Sequence, residues 1–422
     1  MGITRRDLIK ATASGVVLSG IGLPFSTLRA ESKTVKIGFL APLTGAVSAW
    51  GLPGLYGVEI WAEKVNKAGG INIGGENYLV EIVSFDNEYA PDKALQGYKK
   101  LVAEDDVKFV MMLGGDTWPA VQRFANRSKM LPSPLLPSDL SPNTPYLIAP
   151  CEVHPIYNVT GVQWMAEEFG DLRRVVITAQ NDSLGLPSVA TYKAAFEAHG
   201  LEVVDQNLFD PSTTDFSAIA SSLLAKKPDV VCLDTCYADY VNLLCEQLHQ
   251  KKFKGKIISC TLDTYPKIIE KTSQAWMDGT IFQFPDFDDP MMQKDFINFP
   301  DPKGFQEAYD ARHPGTWTAV SWEYASIMDL WKTAAENAGS VDPMPVLEQM
   351  KAGGTAPHAF GDAKWWGKEL WGIDNALVGN WPVVALNNGQ ARIQSFKNIP
   401  EWWGKHGDLL LKHMKEMDLL RT

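Results

Sequence analysis

Residues 35–57, VKIGFLAPLTGAVSAWGLPGLYG, restrict the folds open to this chain more than any other stretch. VKIGFLA is a near-continuous apolar run. Beyond the PLTG loop an apolar stripe recurs at helical spacing through Leu52, Leu55, Val58, Trp61, Val65 and Ala68. A strand that is apolar on both faces and followed by a crossover helix belongs to a parallel sheet covered by helices. The pattern predicts a helix beginning near Pro53 and stopped by Gly69-Gly70. It also sets Thr44, Gly45, Ser48 and Trp50 just past the carboxyl end of a strand, where open α/β sheets bind their ligands.

The alternation persists along the chain. Strands at 78–85 and 107–113, a helix at 92–103 and the strand-like 133–137 complete one doubly wound lobe. Residues 138–153, SDLSPNTPYLIAPCEV, read as a linker, and the alternation then restarts. Helix 155–169, strand 174–178, helix 189–199 and strand 201–204 come first. Helix 216–225 capped by Asp215, strand 229–233, helix 240–249 and strand 256–260 follow. Helices near 305–312, 322–338 and 345–350 come without a matching set of strands. A Trp-rich turn region at 364–371, a hairpin at 382–394 turning on Asn388-Gly389, and a polar tail over 399–422, helical at most, end the chain.

With 422 residues the chain exceeds the size at which one core keeps growing, so two lobes are expected. Residues 1–30 read as a twin-arginine signal peptide. Arg5-Arg6 sits in a charged start, a weakly apolar stretch reaches Leu23, and Ala30 offers a cleavage site. That leader is basic, so the remainder is more acidic than the net charge of −11. An acidic chain without basic blocks argues against nucleic acid or an anionic membrane as partner. The five cysteines, Cys151, Cys232, Cys236, Cys245 and Cys260, do not have the spacing of a zinc site. Cys232 and Cys260 fall at equivalent places on successive predicted strands, where a bridge and plain buried thiols both fit.

No catalytic signature is present. The chain lacks a G-x-S-x-G elbow, an H-E-x-x-H pair and a phosphate-binding glycine loop, and Gly51, Gly54 and Gly57 have the wrong spacing for a dinucleotide fingerprint. The seven histidines are scattered, and His154 beside the linker reads as a surface or capping residue more readily than as a ligand contact. Among fourteen tryptophans, Trp61 and Trp331 lie on helix stripes and read as core, and Trp365, Trp366, Trp402 and Trp403 read as structural. Trp50 and Trp118 differ because both directly follow strand ends.

Several segments in the same order carry a resemblance: the opening strand with its PLTG loop, 108–112 running into a glycine-rich loop, DFSAIASSLLAKKPDVV, the DGT-I-F passage, and FQEAYDARHPG before a long aromatic-studded helix. From about residue 35 to about 394 the chain resembles the periplasmic solute-binding proteins of ABC importers, in the branched-chain amino-acid (leucine/isoleucine/valine-binding) family. The resemblance implies a type I periplasmic binding protein: α/β, with two doubly wound Rossmann-like lobes joined by a three-segment hinge. Lobe 1 would take 34–153 and about 284–355, and lobe 2 would take 154–283 and about 356–396, leaving 397–422 as a C-terminal tail.

In that family the loops matching Gly115-Asp116-Thr117 and 135–138, with Leu136 and Ser138, hold a ligand carboxylate, and the aromatic at Trp50 packs on the ligand body. Trp118 follows the same strand end as the first of these loops. Loops matching Leu184, Tyr237 and Asp263 close from the second lobe and bind the amino group. The departures are informative. Leu135-Leu136-Pro137 lacks the family's hydroxyl, Leu184 stands where a tyrosine is common, and Asp116 would repel a carboxylate unless it points away or the ligand is neutral or cationic. The implied function is capture of an amino acid or a small organic acid, aromatic or aliphatic, in the periplasm by a monomer that delivers it to membrane permease subunits, without cofactor or metal. The same fold serves as a sensor domain, and twin-arginine export also serves enzymes, so those are the competing readings.

Overall fold

Strand β1 (Lys33–Ala41) is the middle of the first sheet. The computed structural model describes residues 33–420, and the expected signal peptide at 1–30 lies outside them. From Val35 to Ala41 almost every side chain of β1 is buried, because β3 and β4 flank it in parallel and helices cover both faces. Helix α1 (Ser48–Lys67) follows, then β2 (Ile71–Ile73), β3 (Glu76–Asp86), α2 (Pro91–Ala103), β4 (Val110–Met112), α3 (Trp118–Ser128) and β5 (Pro132–Pro134). The sheet runs β2-β3-β1-β4-β5, with only β2 antiparallel. Helix α1 starts ahead of the expected Pro53. Gly45 adopts φ +83, and the amides of Ser48 and Trp50 donate to the carbonyls of Gly45 and Val47, closing a tight first turn. Pro53 then sits inside the helix at the cost of one backbone hydrogen bond.

The second sheet is built from α4 (Asn158–Glu168), β6 (Arg174–Gln180), α5 (Gly185–Ala198), β7 (Glu202–Phe209), α6 (Phe216–Ala225), β8 (Val230–Leu233), α7 (Ala238–Gln250) and β9 (Lys256–Ser259). Asp215 caps α6 as its sequence suggests, accepting from the amide of Ser217 at 3.0 Å. After α8 (Tyr265–Lys271), α9 (Gln274–Met277) and β10 (Ile281–Phe282) the chain returns to the first lobe with α10 (Pro302–Asp310) and α11 (Val320–Ala338), both packed on α1. Helix α12 (Pro343–Met350) leads into β11 (Thr355–His358), β12 (Gly361–Trp366), α13 (Lys368–Trp371) and β13 (Ala376–Val378). Strands β14 (Asn380–Asn387) and β15 (Gln390–Asn398) finish the second sheet, in the order β15-β14-β10-β9-β8-β6-β7, and α14 (Ile399–Glu416) follows. Asn388 and Gly389 both take positive φ, as a two-residue hairpin turn requires. The chain thus passes between the lobes three times.

Three expectations need correction. The Trp-rich stretch at 364–371 is not a turn region: β12 pairs antiparallel with both β11 and β13 in a small third sheet. The expected linker at 138–153 is largely buried, and the Ala149 backbone is bonded to Asn375 and Leu377, beside β13. Two of the three crossings therefore run side by side. The polar tail is an amphipathic helix, with Trp402, Leu410 and Met414 buried and Lys412 and His413 of α14 meeting Glu197 of α5. All five cysteines are buried and free, so the bridge considered between Cys232 and Cys260 is not formed. Among the described residues no helix is long and apolar enough to cross a membrane.

The seam between α1 and α11 depends on two glycines. A Cβ at Gly57 would lie 1.7 Å from the Ser321 carbonyl oxygen, and one at Gly54 would lie 2.6 Å from the Tyr324 ring. Trp61 of α1 donates its indole N–H to Asp329 of α11 at 2.7 Å, which fixes the register. In an exposed helix, Gly→Ala stabilises by about 1 kcal/mol. Here the added methyl meets backbone that cannot rotate away, so we predict the opposite sign: Gly57→Ala should lower the unfolding free energy by roughly 1–3 kcal/mol. Urea denaturation measures it, and a midpoint at or above wild type would contradict the tight seam.

Candidate functional site

The carboxyl ends of β1, β4 and β5 face those of β6, β8 and β9 across a cleft, and the third wall comes from the crossing segments and the start of α11. From the first lobe come Trp50, Leu113, Leu135 and Leu136, and from the second Leu184, Thr235, Cys260, Thr261 and Asp263. Glu152, His154 and Tyr157 enter from the first crossing, Phe284 from the second, and Ala319, Val320 and Glu323 from the start of α11. The space enclosed is about 40 Å³, room for a few water molecules. A larger cavity of about 690 Å³ lies between α1, α11 and the end of β11, near Lys64, Asp329 and His358, but no parallel strand ends at it.

Trp50 and Tyr237 meet across the cleft edge to face, with ring centroids 5.4 Å apart. The Tyr237 hydroxyl donates to Asp182 at 3.1 Å and its amide to the Gln180 side chain at 3.0 Å. Asp182 in turn accepts from the amides of Leu184 and Gly185, which sets Leu184 at the mouth of α5. Asp263 accepts from the Ala319 amide at 2.7 Å, so a second-lobe loop is tied to the segment that starts α11.

The glycine-rich loop after β4 is organised inward. Gly115 takes φ +64 and donates its amide to Asp139 at 2.8 Å. Thr117 is fully buried and its hydroxyl donates to the Gly114 carbonyl at 2.8 Å. Asp116 is exposed, and its amide reaches the Tyr89 hydroxyl. Trp118 is buried in the first lobe, and Ser138 is half-buried in a short turn. Of the ten residues singled out from the sequence, Trp50, Leu136, Leu184 and Asp263 line the cavity and Tyr237 braces Trp50. Gly115, Asp116, Thr117, Trp118 and Ser138 do not line it.

Sequence reasoning missed Glu152, Tyr157, Phe284 and Glu323, and it set His154 at the surface, whereas the imidazole is almost fully buried. A signal existed for the two acids. Glu152 follows the apolar run YLIAPC, and Glu323 lies among Trp322, Tyr324 and Ala325 on a helix otherwise apolar on that side. A charge inside an apolar stripe calls for a partner or a role.

Burial dominates the electrostatics. It pushes the Glu152 carboxyl up to about 8, Asp263 to about 6 and Asp234 to about 7, and Glu323 is raised well above the ordinary range by burial and by its acidic neighbours Glu152 and Asp263. His154 is driven down to about 3 by burial and is neutral at physiological pH. Among the described residues no group of three or more His, Cys, Asp or Glu side chains is placed to hold a metal ion.

A hinged pair of α/β lobes with a cleft lined from both sides is the architecture of a solute-binding protein. Residues 34–391 match the family model described as periplasmic binding protein, and the chain belongs to that family, whose members are non-enzymatic and extracytoplasmic. It is 26% identical over 332 residues to the Leu/Ile/Val-binding protein BraC3 of Rhizobium johnstonii, covering 78% of this chain and 86% of that one. The leucine-, isoleucine-, valine-, threonine- and alanine-binding protein of Pseudomonas aeruginosa is 22% identical, with 78% and 85% covered. In fold it is similar to the leucine-binding protein LivK of Thermotoga maritima, with TM-score 0.71, 19% identity, and 87% and 100% of the two chains covered. A Rhodopseudomonas palustris solute-binding protein in complex with 4-hydroxybenzoate superposes with TM-score 0.66 at 19% identity, covering 88% and 99%.

Two predictions follow from this geometry. Raised carboxyls stabilise the fold while protonated, and that contribution is lost as pH climbs through their folded values. Lowered histidines act oppositely, and only below their ordinary pKa. Between about pH 6.5 and about pH 8, where His154 and His358 have stopped titrating, the Tm of the unliganded protein should fall, and Glu323→Gln should flatten the slope. A Tm that is flat or rising over that window in wild type would contradict the buried-acid cluster. Trp50→Ala should weaken solute binding by roughly 1–3 kcal/mol in calorimetry while leaving the fold intact. Unchanged affinity would make Trp50 a lobe-surface residue only.

Proposed function

We propose that this chain is the capture component of an ABC importer, taking up an amino acid or a small organic acid, aromatic acids included, and presenting it to membrane permease subunits. Relatives named as binding Leu, Ile and Val, and neighbours in fold bound to hydroxybenzoates, support that range. The observation that carries the reading is a cavity whose walls come from both lobes and are sealed by Trp50 against Tyr237, since neither lobe alone can enclose a solute. Export by the twin-arginine route, action as a monomer and no dealings with nucleic acid complete the proposal. Recognition would rest on Trp50, Leu136, Leu184, Tyr237 and Asp263, with Asp116, Thr117 and Ser138 outside the contact set while the loop keeps its present bonds.

Closure should be driven by the solute, because contacts from both lobes exist only in the closed form. A ligand present at about a hundred times its Kd adds roughly 2.7 kcal/mol of stability, a rise of several degrees in Tm for a chain of this size. A thermal-shift screen over leucine, isoleucine, aromatic acids, amides and amines should find such a ligand, and small-angle scattering should then show the radius of gyration fall. A ligand that stabilises the protein with no compaction would overturn the clamp.

A further inference from the structure

We infer that the solute held in this cleft carries a positively charged group with N–H donors, an ammonium, amidinium or guanidinium, seated against the paired carboxyls of Glu152 and Glu323. The inference rests on the solute-binding reading above and names the chemistry of the ligand. Glu152 arrives on the first crossing segment and Glu323 on the first turn of α11, and both face the same small cavity. Tyr157 donates its hydroxyl to Glu152 at 3.2 Å. Both oxygens of Glu323 are buried and, the neighbouring Glu152 carboxyl aside, no group of the described residues donates to them. Asp263 adds a third carboxyl to the wall, with one oxygen on the Ala319 amide. No lysine or arginine lines the cavity.

A second, independent feature points the same way. The Thr235 hydroxyl lies 2.9 Å from His154 Nε2 and 3.2 Å from both Asp234 and Cys260 Sγ. His154 Nδ1 is buried without a partner, as is the Thr261 hydroxyl on the same wall. Unanswered buried polar groups cost stability until something pairs with them. A quaternary ammonium has no N–H to give, so the donors required belong to a protonated amine, amidine or guanidine. A metal ion is a poor match, because among the described residues no three such ligands are placed around one point. Two buried carboxyls in contact do not both ionise readily, so the unliganded pair shares a proton, and a cation entering between them displaces that proton to solvent. Trp50, Tyr157 and Phe284 supply ring faces that a delocalised cation favours. The loop that would cradle an anion has its Gly115 amide and Thr117 hydroxyl engaged within the lobe.

The test holds the ring constant and changes the head group. Benzamidine, benzylamine, benzamide and benzoate are each added to the full-length protein, and Tm and radius of gyration are read. The two cations should raise Tm by several degrees and compact the protein, while benzamide and benzoate do neither. Glu323→Gln, and separately Glu152→Gln, should melt at or above wild type without ligand, since a buried acid pair is relieved, yet lose the response to cations. Equal stabilisation by benzamide or benzoate, a full cation response in both variants, or no response to either cation in wild type would each overturn the inference. Compaction by benzoate or benzamide with silence towards the cations would overturn the inference and leave solute binding standing. Silence towards every class of solute would sink the solute-binding reading and this inference together.

Discussion

The close approach of α11 to α1 is the contact on which the remaining architecture turns. Helix α11 comes from the far part of the chain, after the second sheet has been built as far as β10, and it docks on the first helix of the fold. Gly54 and Gly57 let the two backbones meet, and the Trp61–Asp329 hydrogen bond sets how far along they slide. Without that docking the chain would cross between lobes once, and the lobes would be tethered rather than hinged. Because the first turn of α11 faces the cleft, the same contact that completes the first lobe also delivers Glu323 to the cavity.

The hinge is consequently part of the binding wall. Glu152 and His154 lie on the first crossing, within a few residues of the point where Ala149 bonds to the chain beside β13, and Phe284 lies on the second. Asp263, on a second-lobe loop, grips the amide that precedes α11. Side chains that line the cavity thus sit on the segments joining the lobes, where filling the cleft would bear directly on the angle between them.

Much of this was legible in the sequence, for identifiable reasons. Strands such as β1 and β8 announce themselves because both faces are buried, which demands an unbroken apolar run. Asp215 and Asn388-Gly389 mark a helix start and a hairpin by chemistry that acts within three residues. What stayed hidden depends on distant partners. The strands β11–β13 carry Pro, His and Lys, and they become strands only by pairing with one another. The face of α14 acquires meaning when α5 is placed beneath it. The cleft loops were found because strand ends are predictable, but whether Gly115 or Thr117 offers its donors outward depends on Asp139 and Gly114, which no local pattern reveals. His154 read more readily as a surface or capping residue because a lone histidine beside a linker usually is one, whereas that crossing runs through the interior.

The unlinked cysteines have a consequence for where this molecule can be assembled. Each thiol is buried, and burial pushes Cys245, for example, up to about 12, which disfavours the thiolate that exchange reactions require. The fold owes nothing to an oxidant, and shuffling enzymes find no handle on it once it is formed. Once folded, the molecule holds no bond that a change of redox poise would make or break while the five thiols stay buried.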